Sequence, residues 1–310
     1  MIDFRYHIVS LTAVFLALAV GVVLGTTALK GPILADLRGQ VSRLADDNRG
    51  LRQDLRTLKS AAGKQDSFAE QVAPAVLAGR LSGKSVTVIS GPGGDTKDRD
   101  AVVADLNVAG AKVVSRVRLA SDFTDPKRSA ELKGLVSQLL PAGVQIPESA
   151  DGAAQAGRLL AAVLSNADSK TTVGAATRLS VLSGFQSLGL VAVDGDITGS
   201  ADLAVILTTP PDTTADAKLR NASMLKFVTE FDNQAKATVL GADSATGDGN
   251  VVAGIRSDDS VAKSMTTVDD VGDAAGRIAV VLSLAAEAKG VSGQYGIGNG
   301  ATSRLPPFST

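Results

Sequence analysis

Ser85-VTVISGPGGDTKDRDAVVADLNVAGAKVVSR-Val117 decides the fold of this chain. Its first six residues, SVTVIS, are mostly β-branched or apolar and stop at a Gly-Pro-Gly-Gly turn, the signature of a short strand. A helix follows, with Asp95 as cap and Ala101, Val102, Leu106 and Val108 among its apolar positions. Lys112–Val117 then reads as a second strand. A strand, a helix and a strand in about thirty residues is the unit from which parallel sheets are built.

The same alternation runs downstream. Helices are expected over Pro126–Leu140, Asp151–Leu164 and Val173–Leu188, then strands over Leu190–Val193 and Leu203–Leu207. The LAVIL of the last reads as a fully buried strand. Helix Asp216–Phe231 places Leu219, Met224, Phe227, Val228 and Phe231 on one side. Strands Thr238–Gly241 and Val251–Ile255 and a helix over Asp273–Lys289 complete the pattern. The fold class is α/β, a Rossmann-like domain with a largely parallel sheet over residues 85–292. A Gly/Pro-rich tail, 293–310, is expected to extend along the surface, and residues 63–84, interrupted by Pro74, read as a linker.

Upstream the chain changes character. PILADLRGQVSRLADDNRGLRQDLRTLK has apolar residues at alternating spacings of three and four. With Leu34, Val41, Asn48 and Leu55 at position a, position d holds Leu37, Leu44, Leu51 and Leu58. Leucine at every d and one Asn at a specify a parallel two-stranded coiled coil over 31–62. Across such a pair Asp47 faces Arg52 and Asp54 faces Lys59, both of opposite sign. The alternative is a single amphipathic helix packed on its own domain.

Further upstream, Ile8 to Leu29 carries no charge. At about 1.5 Å per residue this run spans the ~30 Å core of a bilayer. It is longer than the apolar region of a secretion signal, so residues 1–30 read as a retained membrane anchor in contact with membrane lipid. Gly21 and Gly25, four apart, mark a face that admits a close helix partner, and with the heptad residues they form the expected interface of a homodimer or higher homo-oligomer. Lys30, Arg38 and Arg43 follow the run and only Arg5 precedes it, but long domains translocate regardless, so orientation stays open.

Composition removes whole classes of chemistry. There is no Cys and one His, His7, ahead of the apolar run. Disulfides, thiolate sites and imidazole catalysis in the body are excluded. The net charge of −1 gives no footprint for nucleic acid. With 8 Phe, 2 Tyr and no Trp, the aromatic girdles of a membrane β-barrel are missing. Gly91-Pro-Gly-Gly94 fails the dinucleotide pattern, and Pro92 removes an amide donor. Asp194-Gly-Asp196-Ile-Thr-Gly199 lacks the Glu that closes a calcium loop and reads as a turn. Asp258, Asp259, Asp269, Asp270 and Asp273 form an acidic run better read as solvated loop carboxylates than as a cation site. No catalytic residue and no cofactor are expected.

The order of anchor, heptads and α/β body is distinctive, and so are particular stretches: HIVSLTAVFLALAVGVVLG at the start, LLPAG at Leu139–Gly143, Thr267-Val-Asp269-Asp270, Gly276-Arg277-Ile, and Gly293-Gln-Tyr295-Gly296-Ile-Gly298-Asn-Gly300-Ala301. In these the whole chain resembles the actinobacterial MctB family, named for mycobacterial copper transport. The resemblance implies an envelope protein with an extracytoplasmic body, described as outer-membrane and pore-forming and needed for copper efflux. The alternative it carries is that of the SteB-like members of the group, anchored proteins that support peptidoglycan hydrolysis at cell separation. On that side the partner is a SteA-like membrane protein or a peptidoglycan-hydrolase system. The residues favour the second picture, a scaffold. Copper prefers Cys, Met or His; where the family motif often has His, this chain has Gln294 and Asn299, and internal Met is limited to Met224 and Met265.

Overall fold

The computed structural model describes residues 4–94, 96–146, 151–166, 173–235 and 237–307, and within the first helix all side chains except those of 26–36 and 38. The chain divides into two units, residues 1–65 and 66–310. The first unit is helical throughout its described length. Its helix, α1, runs Phe4–Leu77 and so enters the second unit.

The second unit is the α/β body. After α1 come β1 (Ser85–Ser90), α2 (Thr96–Val108), β2 (Lys112–Leu119), α3 (Ser129–Leu139), α4 (Gly152–Leu164), α5 (Ala175–Ser187), β3 (Val191–Val193), β4 (Leu203–Thr208), α6 (Ala217–Ala235), β5 (Thr238–Ala242), α7 (Val251–Arg256), α8 (Asp259–Ala262), β6 (Thr266–Val268), α9 (Ala274–Glu287) and β7 (Gln294–Tyr295). The seven strands lie in the order β3-β2-β1-β4-β5-β6-β7, all parallel except β3. The expected largely parallel α/β sheet is therefore present.

Strand alternation divides the core. Val86, Val88, Leu203, Val205 and Leu207 face α2, α9 and the end of α1, while Ile89, Ala204 and Ile206 face α3 to α7. On the second side α4 is buried almost all round, and it reaches α6 closely because Gly157 has no side chain. A Cβ there would lie 2.5 Å from the Phe227 carbonyl oxygen. Phe227 meets Phe123 edge to face, ring centres 5.1 Å apart, a favoured aromatic geometry.

Three expectations are corrected. Residues 63–77 are helix, not linker. Ala69, Ala73, Val76 and Leu77 pack into the core with α2 and α9, Pro74 lies in the last turn of α1, and Gly79 just beyond it takes a positive φ of 75°. Val251–Ile255 is helix α7, not a strand. Asn250 caps it by accepting from the Ala253 amide at 3.0 Å, and Val251, Val252 and Ile255 bury one side. The tail does not merely extend along the surface: Gln294 and Tyr295 add the edge strand β7, and Tyr295 is buried. Asp95, expected to cap α2, lies outside the described residues.

Candidate functional site: a bare leucine seam and a clamped C-terminal motif

The heptad residues stand out from α1 with nothing over them. Leu37, Val41, Leu44, Leu51, Leu55 and Leu58 are 54–70% exposed, and Asn48 is exposed with them. The side chain of Leu34 lies outside the described set. Six large apolar side chains at heptad spacing thus form one solvated row along α1, at a hydrophobic cost to the single chain in water. The Arg49–Asp46 ion pair, 2.8 Å, sits on the far side of the helix at b and f positions and leaves the row clear.

Gly21 and Gly25 lie on the same continuous helix, both with open space around them. At about 100° per residue their face lies roughly 150° around the helix from Leu37 and Val41. The glycines and the leucines, expected to serve one interface, therefore point in nearly opposite directions. Among the described residues one helix is long and apolar enough to cross a membrane, Phe4–Gly25.

The C-terminal motif residues come together in the body, at the β5–β6–β7 edge. Asp269 is not a solvated loop carboxylate. It is buried and paired with Arg256 at 2.6 Å. Its Oδ1 also accepts from the Ile297 amide (2.7 Å) and the Gly298 amide (3.1 Å). Arg256 in turn donates to the carbonyls of Tyr295 (2.6 Å) and Asn299 (3.1 Å) and to the Thr267 hydroxyl (2.8 Å). The glycines follow from this packing. A Cβ on Gly296 would fall on the Asp269 carboxylate. One on Gly298 would lie 2.8 Å from the Ala245 methyl, and Gly300, at φ 79°, packs on the Arg256 stem.

Asp270 holds a positive φ of 70°, a conformation Asp tolerates better than most residues. Its carbonyl occupies the space a side chain at Gly276 would need. Burial pushes its carboxyl up to about 6, with Asp273 next to it adding in the same direction. Arg277 donates to the Gly272 carbonyl (3.0 Å) and reaches Asp105 of α2 (3.3 Å) and Glu70 of α1 (3.4 Å). Asp66 of α1 accepts from the Ala274 amide at 2.6 Å, at the start of α9. The motif thus fastens the last turns of α1 and the C-terminal tail to one corner of the body. Sequence reasoning missed Arg256, Asp66, Glu70 and Asp105, because their partners lie far away along the chain and no local spacing marks them.

Soft-metal chemistry does not fit this corner. Gln294 spends its side chain on structure: its carbonyl accepts from the Thr267 hydroxyl (2.5 Å) and its amide donates to the Ala262 and Met265 carbonyls (2.8 and 2.9 Å). Met265 is fully buried in the core, and Met224 is buried at the wall of the crevice between β1 and β4. Among the described residues no three His, Cys, Asp or Glu gather into a metal-holding group: Asp270 and Asp273 are neighbours, but Asp269 is taken up by Arg256. Asp258 caps α8.

Where the strand order reverses, between β1 and β4, a crevice of about 230 Å³ opens at the strand ends, the usual ligand position in such sheets. Its polar groups are largely spent on one another. Arg220 pairs with Asp125 (2.7 Å) and donates to the Ser121 carbonyl, and Asn221 bonds both the amide and the carbonyl of Asp212. The Gly91–Gly94 loop closes as a turn, Gly94 N to Gly91 O. Asp194 pairs with Arg99 and lies 3.6 Å from Arg118, so the Asp194–Gly199 stretch is a turn tied by ion pairs.

The family described as copper transport outer membrane protein, MctB, matches residues 1–306. The copper transporter MctB of Mycobacterium tuberculosis (strain ATCC 25618 / H37Rv) is 36% identical over 317 residues, 98% of each chain. That of Mycobacterium leprae (strain TN) is 35% identical over 322 residues, 99% of this chain and 100% of the relative.

Proposed function

Since this chain belongs to the MctB copper-transport family, we propose that it serves copper transport as a membrane-tethered scaffold, paired through its leucine seam, whose body positions partners instead of ligating the ion. The observation that carries this reading is the bare row Leu37–Leu58 on a helix continuous with the apolar segment. The body adds no thiol and no imidazole, and its two thioethers, Met224 at the crevice wall and Met265 in the core, are both buried. The SteB-like role in cell separation uses the same parts, an anchor, a pair and a partner-binding body.

The test is copper tolerance in a strain lacking the chromosomal copy. Wild type should restore it. A Leu44→Asp/Leu51→Asp variant, present at the same level in the membrane, should not. Full restoration by that variant removes the scaffold reading.

A pore assembled from several apolar segments is the second reading. One observation favours it: Ser10, Ala17 and Gly21 share a face of small or hydroxyl-bearing residues that a ring of helices could turn inward. Reproducible conductance steps from the full-length protein in a planar bilayer, absent from a detergent blank, support it. Silence at confirmed protein density removes it.

A further inference from the structure

We propose that the paired helices keep a single seam from Leu58 into the apolar segment, along Ala13, Leu16, Val20 and Val23, with Gly21 and Gly25 turned away from the partner copy. This rests on the reading of the chain as a parallel pair and says how that pair continues into the bilayer. The first support is continuity. α1 is helical from Phe4 to Leu77, so the rotation set by Leu37–Leu58 is carried into the segment below. Counting the heptad back from Val41 places Ala13, Val20 and Thr27 at a, and Leu16, Val23 and Lys30 at d. Ala13, Leu16, Val20 and Val23 are apolar and exposed, and the polar Thr27 and Lys30 fall at the junction between the apolar segment and the leucine row.

The second support is handedness. A heptad seam winds two helices left-handed, crossing at about +20°, whereas glycine faces four residues apart favour a right-handed crossing of about −40°. Only twelve residues, about 18 Å of helix, separate Gly25 from Leu37. A continuous helix has no break in which to reverse its crossing over that distance. The left-handed winding also brings the two stretches into line: an untwisted helix drifts about 20° per heptad from a seven-residue repeat, and supercoiling removes the drift. The third support is side-chain type. Val20 repeats the β-branched residue of Val41 at a and Leu16 repeats the leucine at d, the combination that favours two strands, whereas Ala13 at a and Val23 at d depart from it.

The chain has no cysteine, so single-cysteine variants of the full-length protein report contacts without background. Leu44→Cys, Val20→Cys, Val23→Cys, Gly21→Cys, Gly25→Cys and the outward control Gln53→Cys would be oxidised in native membranes with iodine, and covalent dimer read on a gel. We expect Leu44→Cys, Val20→Cys and Val23→Cys to cross-link several-fold more than Gly21→Cys, Gly25→Cys and Gln53→Cys. Cross-linking at Leu44 with Gly25 ahead of Val23, or with both faces equal, overturns the single seam and leaves the pair standing. No cross-linking at Leu44 overturns the pair itself.

Discussion

The Asp269 carboxylate and the Arg256 guanidinium meet at 2.6 Å with side chains only 1% and 3% exposed. Each has further duties: Asp269 holds two tail amides, and Arg256 holds two tail carbonyls. Removing one partner strands the other as a buried charge. Arg256→Met should therefore destabilise the body by about 3–5 kcal/mol, read by urea denaturation, and expose the tail beyond Gly296 to limited proteolysis. A loss under 1 kcal/mol with an unchanged cleavage pattern would contradict the clamp.

Asp232, on α6, is buried, and that burial is the main reason its carboxyl is pushed up to about 7; the nearby Glu287 carboxylate, itself raised by burial, adds to the shift. An acid whose folded pKa exceeds its unfolded value of about 3.9 contributes stability that is complete below the unfolded value. That contribution is lost as pH rises through 7. Asp232→Asn removes the titration. The stability of the variant relative to wild type should rise by about 2–3 kcal/mol between pH 5 and pH 8. A gap that does not change with pH would contradict the buried acid.

The α4–α6 contact depends on a missing side chain. Gly157→Ala would push against the Phe227 carbonyl and should cost about 1–3 kcal/mol by overpacking. Phe227→Ala should cost about 3–5 kcal/mol by opening a cavity beside Phe123 and Phe231. Thermal unfolding of the two variants checks both. Their costs should not add, because they act at one contact.

With both thioethers buried and far too few soft donors beside them, the body should show the same Cu(I) titration before and after Met224→Leu/Met265→Leu substitution. A tight equivalent lost in the double variant would place copper in the core and contradict the scaffold reading.

Much of this architecture was legible in the residues. SVTVIS, LAVIL and the helix carrying Met224, Phe227 and Phe231 are strong local patterns, and tertiary packing agrees with them. The failures were places where packing overrides local signals. Val251–Ile255 is β-branched enough for a strand, but the Asn250 cap and one buried side make it a helix. Residues 63–77 look weak as a helix because Pro74 and small residues dilute the pattern, yet their apolar side is covered by α2 and α9. The C-terminal motif could be named from family resemblance, but its job could not, since Asp269 acts through Arg256 and a tail some thirty residues away. Gly21 and Gly25 were legible as a face; only the unbroken helix shows that it opposes the leucines.

In the proposed assembly two copies pair through Leu37–Leu58. Its most direct test is the protein mass of the full-length chain in detergent micelles, measured by light scattering for wild type and for Leu44→Asp/Leu51→Asp. Wild type should carry two chains per micelle and the variant one. One chain in wild type, or two in both, would contradict the pairing.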